Sequence, residues 1–188
     1  MILYLNEMTK PYVCVFDLEH DQGRIIQFAG ILFKNVGTHL YQIYKSINTY
    51  IKQPFISDFI AAFSHLDEDF IQEWGVEKTE FLNQMEYFFT DIQKEDVIFI
   101  SHGVHQDMLI LKENDIDLLG CEQECTYELA KKVLPRNNHL TVNDIASECG
   151  CVNLGNHNAY GDALTTACIL SFLLKKKGEL AYENAEFK

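Results

Sequence analysis

The sequence predicts an α/β fold, a mixed five-stranded sheet flanked by helices. Three observations carry that reading. Three β-like runs succeed one another through short connections in the first fifty residues. A long helical stretch separates them from a further buried strand. From there the pattern alternates between strand and helix, which buries a sheet under helices.

Tyr12–Phe16 is a continuous apolar run, as a central strand covered on both faces requires. Asp21-Gln22-Gly23 supplies a turn, and Arg24–Phe33 reads as the second strand. Thr38–Thr49 is the third, with Leu40, Ile43, Tyr44 and Ile47 in looser alternation. Short connections make these neighbours antiparallel. Pro54 to Gln93 reads as helical, with Phe81, Met85, Phe88 and Ile92 on one face. Asp96–Ser101 is a buried strand, followed by a helix through Met108 and Leu111. Glu122–Tyr127 is a short fifth strand, and Thr141 to Asp144 has the pattern of a capped helix start. A last helix runs from Ala159 to Lys177, with Gly178 as its stop. The reading is therefore one domain over residues 1–178 and a polar tail over 179–188. The order of elements fits a ribonuclease H-like architecture.

Composition excludes several classes. Of 188 residues, 15 are Lys or Arg and 28 are Asp or Glu, for a formal net charge of −13. That balance argues against a histone-like duplex binder, which depends on many Lys–phosphate contacts. No apolar run approaches the ~20 residues of a membrane span. Met1 to Lys10 lacks the basic-then-apolar pattern of an export signal, so a cytoplasmic location is expected. Six cysteines then read as free thiols. The pairs Cys121/Cys125 and Cys149/Cys151 are the alternative, a four-thiolate zinc site, although neither has the two-residue gap of a zinc ribbon.

The informative residues are acidic. Asp17 and Glu19 close the most apolar strand, and positions i and i+2 of a strand project from one face. Two like charges beside a core need a cation or a proton to compensate them. Oxygen-preferring divalent ions bind through such pairs, while a solvated strand end is the plainer alternative. Asp107 follows the strand Val97–Ile100 and falls in the first turns of the next helix, a place that suits either a ligand or the helix dipole. His157-Asn158-Ala159-Tyr160-Gly161-Asp162-Ala163 sets an imidazole near a carboxylate at a loop-to-helix junction. Gly161 and Ala163 read as leaving space around Asp162 for ions or substrate. A neutral imidazole accepts a proton near pH 7, as a general base must.

Taken in order, these segments resemble the DEDDh 3′–5′ exonucleases. Phe16-Asp17-Leu18-Glu19 is similar to that family's first motif, and Arg24 to Ala29 to the strand after it. His102 through Asp107 is similar to the second motif and His157 through Ala163 to the third. Thr126 to Ala130 and Leu140-Thr141-Val142 resemble the connecting segments, so the likeness covers Tyr12 to Lys175. The sequence departs at His20, Gly103 and Gln106, where the family often has Thr, Asn and an aromatic residue.

The resemblance implies two divalent ions, Mg²⁺ or Mn²⁺, about 3.5–4 Å apart around the scissile phosphate. Asp17 would bridge them, Glu19 and Asp162 would complete one site, and Asp107 the other. His157 would take the proton of the attacking water, releasing nucleoside 5′-monophosphates from the 3′ ends of nucleic acid, single-stranded DNA foremost. His20 would contact the terminal nucleotide and His102 the phosphate. RNA or oligoribonucleotide substrates, and delivery by a partner with a basic surface such as a polymerase or CRISPR adaptation complex, are the alternatives. His39, His65 and His139 have no assigned partner; Trp74 reads as a packing residue and Lys175-Lys176-Lys177 as a helix end favoured by the dipole.

Overall fold

Side-chain alternation along one strand decides the layering. The computed structural model describes residues 1–134, 141–155 and 157–186. Its strands are β1 (Ile2–Tyr4), β2 (Tyr12–Asp21), β3 (Arg24–Gly37), β4 (Leu40–Tyr50), β5 (Val97–Ser101) and β6 (Glu122–Cys125). The helices are α1 (Asp58–Ser64), α2 (Glu68–Trp74), α3 (Lys78–Phe88), α4 (Val104–Glu113), α5 (Thr126–Val133), α6 (Val142–Cys149) and α7 (Ala159–Glu186). The sheet order is β1-β4-β3-β2-β5-β6. β1 to β4 pair antiparallel, whereas β2–β5 and β5–β6 are parallel.

In β2, Val13 and Val15 face one apolar cluster, shared with Leu129, Ile145, Ala163 and Leu170 of α5, α6 and α7. Cys14, Phe16 and Leu18 face the other, with Phe81 and Met85 of α3 and Met108 and Leu111 of α4. The sheet is thus covered on both sides. Each fully buried Phe or Leu contributes about 1.5–3 kcal/mol of transfer free energy. Continuing the odd-numbered face beyond Val15 puts Asp17 and Glu19 on the α7 side.

The structure differs from the sequence reading in several places. Among the described residues there are six strands, not five: β1 has three residues, of which only Leu3 is buried, too short for a visible alternation. Thr38 and His39 have φ of +46° and +61°, so they form the β3–β4 turn and β4 begins at Leu40. The 54–93 stretch divides into three helices because Ser57 and Asp67 cap α1 and α2 with their side chains. Ile92 lies beyond α3 but still joins Phe81, Met85 and Phe88 in one cluster. α7 does not stop at Gly178. Leu180 packs on the core and Lys176 pairs with Glu179 across that position. An added Cβ at Gly178 would meet only the end of the Asn6 side chain, with Nδ2 at 3.0 Å. Trp74 is exposed, because α2 turns Ile71 to the core instead.

The capped start at Thr141 is present as a reciprocal pair. The Asp144 N–H donates to Thr141 Oγ1 at 3.2 Å, and the Thr141 N–H to Asp144 Oδ2 at 3.0 Å. All six cysteines are free. Cys149 and Cys151 pack on the α7 side and Cys121 and Cys125 on the other, so the two pairs do not make a four-thiolate site. Among the described residues no helix is long and apolar enough to cross a membrane. His139 and Leu140 lie outside the described residues.

Candidate active site

β2 and β5 run parallel only as far as the Val15–Ile100 pair. Beyond it β2 continues alone beside β3, opposing Asp17 to Ala29 and Glu19 to Gln27. β5 ends at Ser101 and turns into α4, three residues before Asp107. This carboxyl end of the parallel strands is where α/β sheets place their ligands. A cavity of about 450 Å³ opens here. Asp17, Glu19, Asp107, His157 and Asp162 line it, together with His102 and Tyr127. Thr141, Val142 and Asn143 of the α6 start complete one wall.

Oxygens of Asp17, Glu19 and Asp162 lie within 4.8 Å of one another. Asp107 stands beside this trio. Ser101 Oγ donates to its Oδ2, and its charge acts on Asp17. Burial, followed by repulsion from Asp107, Glu19 and Asp162, holds the Asp17 carboxyl well above the usual carboxylate range. Burial and Asp162 push Glu19 up to about 7. Burial pushes Asp107 up to about 6, against the opposing Ser101 hydrogen bond. Oxygen-only donors whose charged forms are disfavoured without a cation are a fitting set for a hard divalent ion.

α7 carries Asp162 on its first turn, and distant residues anchor that turn. Gln27, fully buried in β3, accepts the Ala159 N–H at 3.1 Å and donates to Asn48 Oδ1 at 2.8 Å. Asn158 accepts from the Gly161 N–H at 3.2 Å. The preceding loop folds back over the helix. The Leu154 N–H donates to Thr165 Oγ1 at 3.1 Å, and the His157 N–H donates to Asp162 Oδ2 at 3.2 Å. His157 has φ +61°, a left-handed conformation that is uncommon outside glycine. A Cβ on Gly155 would overlap the Asp162 carboxylate, and one on Gly161 would overlap the Leu154 carbonyl. Gly161 therefore lets the loop backbone approach, and does not open room for ions as its position beside Asp162 suggests.

His102 reaches the site, with Nδ1 3.1 Å from Thr126 Oγ1 and its ring edge-on to Tyr127. His20 does not line the cavity. It accepts from the Gly23 N–H at the β2–β3 turn, across an irregularity in pairing after Glu19. The largest surprise is Phe63 of α1, whose ring centroid lies 3.5 Å from that of His157. No local pattern marks Phe63, Gln27 or Gly155, since each acts through a partner elsewhere in the chain.

The family model for exonucleases of the ribonuclease T type matches residues 7–170. No curated protein matches the sequence. Among solved structures, cell-death related nuclease 4 superposes with TM-score 0.70 at 16% identity, over 88% of this chain and 64% of that one. The nuclease domain of 3′hExo, a DEDDh family member bound to rAMP, gives 0.66 at 14%, over 88% and 92%. E. coli exonuclease I with a dA16 oligonucleotide gives 0.68 at 12%, over 90% and 41%. The chain thus spans less than two thirds of the first and third of these. With the exonuclease family model matched over most of its length, and Asp17, Glu19, Asp107, His157 and Asp162 gathered in one cavity, the chain belongs to the DEDDh family of 3′–5′ exonucleases.

Proposed function

We propose that the protein removes nucleoside 5′-monophosphates one at a time from the 3′ ends of single-stranded DNA. The observation that supports this best is the convergence of Asp17, Glu19 and Asp162, with Asp107 beside them and His157 on the same wall. Held by Asp17, Glu19 and Asp162 on one side and by Asp17 and Asp107 on the other, Mg²⁺ or Mn²⁺ ions would supply the electrophilic pull on the phosphodiester and steady the departing 3′-oxygen.

The remaining steps belong to the chain. His157 accepts a proton from the attacking water, and its backbone bond to Asp162 keeps base and carboxylate in register. Ser101 orients Asp107, and Gln27 sets the turn that presents Asp162. His102, beside Thr126 on the cavity wall, would donate to the phosphate.

The test is a 3′-end digestion panel of single- and double-stranded DNA, RNA and dinucleotides, each with Mg²⁺ and Mn²⁺. Release of 5′-monophosphates fastest from single-stranded DNA is expected, with loss of at least ~100-fold in Asp17→Asn and His157→Ala. Unchanged rates in either variant would remove the assignment. Faster digestion of RNA would move the substrate class, a reading that the rAMP complex of the 3′hExo domain keeps in view. Full activity of the isolated chain would dispense with a basic delivery partner.

A further inference from the structure

One stretch of sheet edge is left unpaired. β1 covers the outer side of β4 at Leu40–Gln42, and the Ile43 N–H reaches the Met1 carbonyl at 3.5 Å. At the other end Val76 takes the edge. Its N–H donates to the Tyr50 carbonyl and its carbonyl accepts from the Lys52 N–H, both at 2.9 Å. Between these two shoulders, among the described residues, no backbone group bonds to the outer side of β4. The Ile51 N–H bonds inward to Ile26, so alternation along the ladder turns the N–H and C=O groups of Ser46 and Asn48 outward. Both residues are exposed.

A groove of about 550 Å³ runs beside this edge, between β4 and one stripe of α3. Glu80, Asn83, Gln84 and Tyr87 fall at i, i+3, i+4 and i+7 and form its helix wall, while Ile47 and Phe88 add apolar surface. A strand laid on Ser46 and Asn48 would turn every second side chain into this groove. A free main-chain edge beside a side-chain groove is what strand addition uses.

Shape and charge select the occupant. A second copy of this chain brings the same recessed edge. Pairing two such edges about a two-fold axis drives β1 of one copy into the Val76 segment of the other, so only a narrow, extended segment enters. The opening from Tyr44 to Thr49 admits about 20 Å of strand. Lys34 and Lys45 lie 5.3 and 5.5 Å over the Tyr44 ring, and Lys45 is 5.9 Å from that of Tyr87. Among the described residues neither lysine forms an ion pair, in a chain of net charge −13. Glu80 stands toward the other end, where Thr49 Oγ1 donates to Gln84 Oε1 at 2.7 Å. The groove is therefore cationic at Lys45 and anionic toward Thr49.

We propose that this slot takes a short extended peptide of a partner protein as an added strand, antiparallel to β4. An apolar side chain of the peptide sits over Ile47, and an acidic one near its C-terminal end meets Lys45. The slot shares no residue with the catalytic cavity, so the docked partner leaves that cavity open.

The test titrates the full chain with fluorescein-labelled Thr-Ile-Thr-Phe-Thr-Asp-amide, read by fluorescence polarisation and by the amide resonances of the ¹⁵N-labelled protein. Ser46→Pro removes one outward N–H and leaves the β3 ladder intact, and Asn83→Arg fills the groove from an exposed position. Saturable binding is expected, with the Ser46 and Asn48 resonances shifting and at least about tenfold weaker binding in either variant. Methyl groups walked along the peptide nitrogens should weaken binding at alternate positions only, and exchanging the peptide's Asp for Lys should weaken it as well. No saturable binding, or equal binding to the wild type and both variants, would overturn the proposal. So would methylation that acts at every position or at none, or a dimer of the free chain that Ser46→Pro makes monomeric. Oligonucleotide digestion, unchanged in both variants, is a separate readout: its absence in the wild type would overturn the exonuclease reading and not this one.

Discussion

Asp17 is the residue under most strain. It sits at the end of a buried strand with three other carboxylates near, and its pKa is raised chiefly by burial and then by those charges. A carboxyl whose folded pKa is raised binds protons that the unfolded chain releases. Its contribution to stability is therefore complete below the ordinary carboxylate pKa and is lost as pH rises toward the folded value. With Glu19 at about 7 and Asp107 at about 6, the metal-free chain loses stability as pH rises from about 4 through 7. A divalent ion competes with those protons, so its stabilising effect grows over the same range. Thermal melts should show a larger Mn²⁺- or Mg²⁺-induced rise in Tm at pH 8 than at pH 5.5. Metal-free Asp17→Asn should melt about 2–4 °C above the wild type at pH 8, with the difference shrinking toward pH 4. A metal-free variant that melts lower at pH 8 would contradict the electrostatic account.

At the scale of elements, the start of α7 depends on one side chain 132 residues away in sequence. Replacing Gln27 with Leu leaves the buried Ala159 N–H without its acceptor, a cost of about 1–3 kcal/mol, while the exposed Asn48 side chain turns to water. Urea titration should report that loss, and activity should fall further than stability because Asp162 shifts with the turn. Such a dependence explains what was legible in advance. Asp17 and Glu19, Asp107, and His157 to Asp162 could be read from local spacing, because two residues of one strand or one helix start are placed by their own backbone. Phe63 against His157, Gly155 against Asp162 and Gln27 against Ala159 are tertiary contacts and leave no periodic trace. The same limit accounts for β1, a strand defined by its pairing with Leu40, Tyr41 and Gln42 and not by its own three residues. It also accounts for α7 running past Gly178, since Leu180 beyond it packs on a core drawn from distant parts of the chain.

Across the whole molecule, a net charge of −13 and an enzyme of nucleic acids are reconciled by where contact is made. Carboxylates in the cavity are the groups that divalent ions would cover, and α1 presents exposed rings. Lys131, 5.2 Å over the Tyr127 ring, is a cation placed near the mouth. A protein with six to ten phosphate contacts loses about 10³–10⁵ in affinity between 50 and 200 mM salt. KM for a single-stranded oligonucleotide here should rise by less than about tenfold over that interval, at fixed divalent concentration. A steep rise would reveal a phosphate track and overturn this reading.

The loop ahead of α7 has one more consequence. Leu154 is tied to Thr165, Gly155 lies against the Asp162 carboxylate, and the His157 backbone bonds to that same carboxylate. In the proposed mechanism the base and one of the cation ligands would thus be joined through one short stretch of backbone. A change in that loop would move His157 against Asp162, while Asp17 and Glu19 on β2 and Asp107 on α4 would keep their places.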